Sequence, residues 1–122
     1  MSTVCLAPHL ASAQAARRFV EDELRPEAVG EDALFRAQLL VTELVTNAVR
    51  HARSPVELTV ANRDGRIRIE ARDNSTARPA PPRVDAHTRH RGLLLVQDLS
   101  ENWGVDVQGH SGKVVWCEVR AA

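Results

Sequence analysis

Between Ala52 and Val56 the hydrophobic pattern of the chain changes period, and this change restricts the fold more than any other feature. Before it, Ala37, Val41, Leu44, Val45 and Ala48 recur at spacings of three and four, the signature of one apolar helix face. Gly30 precedes Glu31 and Asp32, acidic residues suited to a helix N-terminal turn, and Pro55 forbids continuation, so a long helix is expected to run to about Ala52. After the change, Val56, Leu58 and Val60 alternate with Glu57 and Thr59. Asn62-Arg63-Asp64-Gly65 supplies a turn, and Ile67, Ile69 and Ala71 then alternate with Arg68, Glu70 and Arg72. This is a β-hairpin with one apolar and one solvated face. A chain that passes from helix to hairpin in this way must cover the apolar side of a sheet with helices.

The flanking segments complete that plan. Val4 to Ala7 is short, apolar and ends at Pro8, which suits an edge strand or an extended arm. Ser12 is a fair N-cap for a first helix from Ala13 to Leu24, with Ala15, Ala16, Phe19, Val20 and Leu24 inward and Pro26 closing it. From Ser75 to His90 neither period is present, and Pro79, Pro81 and Pro82 oppose regular structure, so about 75–90 reads as a lid. Arg91-Gly92 opens a third helix, Leu93 to about Leu99; Trp103 to Val107 and Lys113 to Val119 form a second antiparallel pair around Gly109-His110-Ser111-Gly112. The expected fold is α+β: one domain over 1–122, a two-layer sandwich of one mainly antiparallel, mixed sheet with helices on one face.

Composition matters mainly for what it removes. Sixteen basic and sixteen acidic residues cancel, so no global field calls for nucleic acid or an anionic membrane, and any ligand needs a local site. No apolar run approaches the roughly 20 residues that cross a bilayer, and no basic-then-apolar targeting pattern opens the chain; a cytoplasmic protein is expected. Cys5 and Cys117 lie in apolar stretches without metal-ligand spacing and read as reduced, buried thiols.

A few polar residues remain to be accounted for. Glu43 and Asn47 stand one turn apart beside the apolar face of the long helix, where a carboxylate can accept a proton and an amide oxygen can ligate a hard cation. Their plain structural reading is the polar edge of a core helix. Asp73 falls on the same side of its strand as Ile67, Ile69 and Ala71, the side the helices must cover. It is either a turn former at the strand end or an acceptor for an amino group bound between sheet and helix. Gly92, at a helix start, allows a phosphate to approach free backbone N–H groups. Lys113, after Gly112, reads as a solvated strand start, and His51 as a solvated or capping residue at a helix end. His87 and His90 have a conceivable metal spacing, but their segment is proline-rich and lacks a third ligand nearby.

The Glu-x-x-x-Asn helix, the inward Asp at a strand end and the lid leading to Arg-Gly-Leu together resemble the GHKL superfamily, the Bergerat ATP-binding fold of gyrase, MutL and histidine kinases. Within it, Thr42 to Ala52 looks like the N box of the small anti-sigma-factor serine/threonine kinases of the RsbW and SpoIIAB kind, and Arg91 to Val96 with Trp103-Gly104-Val105 looks like the second glycine box and the following strand. The similarity covers nearly the whole chain. It implies that ATP and magnesium are bound, with Asn47 ligating the Mg, Glu43 acting as catalytic base and Asp73 accepting from the adenine amino group. Gly92 and Leu93 would meet the phosphates, with Arg91 and Arg50 as nearby positive charges. Two departures stand out: Asn74-Ser75-Thr76 follows Asp73 where the family has glycines, and His90 replaces a glycine before Arg91, which narrows the backbone conformations open to the lid.

Three functions follow from the resemblance. One is a kinase that transfers the γ-phosphoryl group to a serine or threonine of an anti-anti-sigma partner of the STAS type. Another is a binding module that sequesters a sigma factor, capture generally involving a homodimer, without transfer. The last, a detached ATP-binding domain serving a histidine phosphoacceptor in trans, ranks lowest because the chain has no phosphoacceptor helix hairpin.

Overall fold

The structure, a computed structural model, describes residues 1–75, 96–109 and 112–122. The elements run β1 (Ser2–Leu6), α1 (Ser12–Leu24), α2 (Glu31–Ala52), β2 (Val56–Arg63), β3 (Arg66–Asp73), β4 (Asn102–Val107) and β5 (Lys113–Arg120). The five strands form one sheet in the order β1-β2-β3-β5-β4, and each of these pairings is antiparallel. α1 and α2 pack against each other and against one face of the sheet, giving the two layers expected.

Alternation builds the inner face. Val56, Leu58, Val60, Ile67, Ile69, Ala71, Cys117 and Val119 are buried beneath the helices, while Glu57, Arg68 and Arg72 are not. From α2, Ala37, Leu40, Val41, Leu44, Val45 and Ala48 close over these strands in one continuous cluster. The β2–β3 hairpin turns on Asp64-Gly65, both at positive φ (53° and 76°), the conformation that a two-residue hairpin needs and that Asp-Gly readily takes.

Three local expectations are corrected. Ala11, not Ser12, occupies the N-cap of α1; Ser12 lies inside the first turn, and its hydroxyl donates to the Ala7 carbonyl at 2.7 Å. Ala15 is exposed, because the buried stripe of α1 runs through Ser12, Ala13, Ala16, Val20 and Leu24. Cys5 is exposed as well, being paired with Glu57 on the outer face, whereas its neighbour Leu6 turns inward. The lid, apart from Ser75, lies outside the described residues. Of the third helix, 96–99 is described and is helical, with Val96 fully buried.

Candidate functional site

The end of α2 and the facing ends of β3 and β5 meet at one corner of the inner layer. The buried stripe of α2 fixes its rotation, which leaves Glu43 and Asn47 half-buried along its margin and Arg50 exposed one turn further on. Neither the Glu43 nor the Asn47 side chain is engaged by another described residue, so both acceptors are available. α2 ends at Arg53, which adopts the left-handed conformation (φ 52°). The chain then reaches the buried Ser54, whose Oγ accepts from the Asn74 N–H at 3.1 Å. That bond ties the C-terminal end of α2 to the corner where β3 stops.

At this corner Asp73 is only 1% exposed, which agrees with its inward placement by alternation. Its Oδ1 accepts from the Ser75 N–H at 2.8 Å and from Lys113 Nζ at 3.1 Å. The first of these is an Asx-type turn bond, so the local structural reading of Asp73 is also correct. Oδ2 lies 3.0 Å from the same Nζ, an ion-pair contact, and has no further partner among the described residues.

Lys113 corrects the expectation of a solvated strand start: it is 3% exposed. The reason is register. Asp73 and Lys113 are direct cross-strand partners in the β3–β5 ladder, and Lys113 shares the inward phase of β5 with Val115, Cys117 and Val119. Gly112 makes the approach possible. At φ +107°, a Cβ built on it would lie 1.9 Å from the Asp73 carbonyl oxygen, so the chain can enter β5 this close to β3 only without a side chain.

Sequence reasoning thus anticipated the inward side of Asp73 and the margin of α2 that carries Glu43 and Asn47, but missed the Ser54 bond and the ionic role of Lys113. The alternation back from Cys117 through Val115 to Lys113 was a usable signal for the latter. Arg91, Gly92, Leu93 and the His87–His90 pair, together with the side chain of His51, lie outside the described residues. A depression of about 530 Å³ on the opposite face of the sheet, lined by Thr59, Arg66, Arg68, Glu70 and Glu118 among others, contains none of these groups.

The arrangement can do two things chemically. It holds a dry carboxylate whose Oδ2 keeps room for a further donor such as an amino group, and, on α2, a carboxylate and carboxamide not engaged by other described residues that could serve a cation or proton. No described helix is long and apolar enough to cross a membrane.

Among solved structures, the fold is similar to the crystal structure of the RsbU and RsbW domains of Rv1364c from Mycobacterium tuberculosis, with a TM-score of 0.74 at 16% sequence identity. The match covers 98% of this chain and 32% of that one, so the chain spans about a third of its neighbour's length. No curated protein matches the sequence. The model of the histidine kinase-like ATPase domain matches residues 6–118, from the last residue of β1 into β5. The chain belongs to the histidine kinase-like ATPase domain family.

Proposed function

We propose that the protein is an ATP-binding regulator that acts on a partner protein, with Asp73 receiving the adenine amino group and Glu43 and Asn47 serving the phosphate end. The observation that carries this reading is the Asp73 carboxylate: buried, anchored through Oδ1, and touched at Oδ2, among the described residues, only by the Lys113 ammonium. A buried carboxylate oxygen can accept more than one donor, and a ligand amino group would supply the second. The donor set fits magnesium nucleotide as well. Asn47 carries the amide oxygen that would hold the cation, and Arg50, exposed at the end of α2, would add positive charge beside the phosphates. Magnesium, when bound, supplies neutralisation of phosphate charge.

The finer activity is protein phosphorylation. Glu43 would take the proton from a serine or threonine hydroxyl presented by an anti-anti-sigma partner, and its half-buried, unengaged carboxylate suits that task. The second reading, a module that sequesters a sigma factor without transfer, is favoured by the side chains of Asn74 and Ser75 in place of glycines beside Asp73. The neighbour in which an RsbW domain sits in one chain with an RsbU domain supports a regulatory setting for either.

Calorimetric titration of ATP with and without magnesium tests the nucleotide claim. Magnesium-dependent binding that Asp73→Asn weakens is the expected result; no binding at millimolar ATP removes the claim and leaves the partner-binding module. Glu43→Ala separates the two activities, since it should retain ATP and abolish partner phosphorylation in a kinase, and leave partner affinity intact in a pure binding module.

A further inference from the structure

The Asp73–Lys113 pair is buried and leaves hydrogen-bonding capacity on both partners. Three donors belong to a lysine ammonium, and a carboxylate can accept at both oxygens. Within the described residues Nζ meets only the two Asp73 oxygens, at 3.1 and 3.0 Å, so the ammonium has donors left over and Oδ2 can still accept another. A desolvated ion pair repays its burial only when its remaining donors and acceptors find partners. Here the ammonium and Oδ2 stand 3.0 Å apart, on adjacent strands and in the same inner layer. Together they present one acceptor and one donor side by side. The complementary ligand edge carries a donor and an acceptor on neighbouring atoms, as the 6-amino group and ring N1 of an aminopurine do.

We propose that Lys113 reads the base directly: its ammonium donates to ring N1 while Asp73 Oδ2 accepts from the 6-amino group. This rests on the nucleotide reading of the pocket and adds to it a second base-contacting residue. Lys113 thus has two duties, balancing the Asp73 charge and recognising an unprotonated ring nitrogen. A solely structural counter-ion would be indifferent to N1.

The test uses base analogues on the unmodified protein, measured by calorimetry with magnesium present. Compared with ATP, 7-deaza-ATP retains N1 and should bind with unchanged affinity. By contrast, 1-deaza-ATP replaces N1 with a carbon and should bind roughly tenfold more weakly, the loss appropriate to a hydrogen bond from a charged donor. In Lys113→Met, ATP should weaken by a similar factor, and removal of N1 should cost nothing further. Equal binding of ATP and 1-deaza-ATP by the unmodified protein overturns the proposal, as does an N1 penalty that survives in a folded Lys113→Met. Where that variant fails to fold, the analogue pair on the unmodified protein decides alone. Absence of ATP binding at the outset is a different failure: it removes the nucleotide reading itself, and the role of Lys113 with it.

Discussion

The two faces of the sheet use the same kinds of charge to opposite ends. On the outer face Arg68 bonds Glu70 at 2.7 Å and Glu118 at 3.3 Å, and its guanidinium lies 4.3 Å from the centre of the Trp116 ring. Arg68 and Glu70 are each 36% exposed, so water screens the network and would solvate each member if it were broken. On the inner face Asp73 and Lys113 have lost nearly all their solvent and have one another. The outer network is a solvated surface held in register by strand pairing. The inner pair is a commitment that the fold can sustain only with a partner for each charge, which the more extensive outer network does not require.

Substitutions on the two faces should separate sharply. Lys113→Met strands the Asp73 carboxylate and should cost about 3–5 kcal/mol in denaturant unfolding, with much of the loss recovered in the Asp73→Asn, Lys113→Met double variant. Recovery that does not occur would mean that the pair matters for packing rather than charge. Gly112→Ala should follow at about 3 kcal/mol, the sum of strained backbone and a clash with the Asp73 carbonyl, measured by the same unfolding curves. The outer face should be tolerant: Arg68→Ala is expected to lose no more than about 1 kcal/mol and to alter Trp116 fluorescence. A loss as large as that of Lys113→Met would erase the contrast between the faces.

The cysteines extend the comparison with an effect that vanishes at neutral pH. Burial pushes the Cys117 thiol from its ordinary 9.0 up to about 12. Between those values the unfolded chain releases its proton while the folded protein retains it, so this thiol's contribution to stability should fall as pH rises above 9.0. Cys5, exposed on the outer face, should react with a thiol reagent at pH 8 in the native protein, and Cys117 only after unfolding. Equal labelling of both would show that the inner layer opens far more readily than its packing implies.

Much of this organisation was written locally. The 3.6-residue stripe of α2 named the residues that are buried, and the alternation of β2 and β3 put Asp73 on the inner side. The two strand residues whose placement was misread share a different property. Cys5 is apolar in its surroundings along the chain, but its exposure depends on which face of an edge strand meets Glu57. Lys113 carries a full charge, which ordinarily signals solvent, and became interior because the ladder set it opposite Asp73.

The sequence by itself determined the order of helices and strands, the turn at Asp64-Gly65 and the wall of α2 that carries Glu43 and Asn47. Those depend on neighbours within about one helical turn or two strand positions. Only the tertiary structure decided that Asp73 and Lys113, 40 positions apart, share one desolvated corner, and that Ser54 fastens α2 to it. Strand register is a long-range choice: it is set by the packing of whole faces, and no single segment carries it.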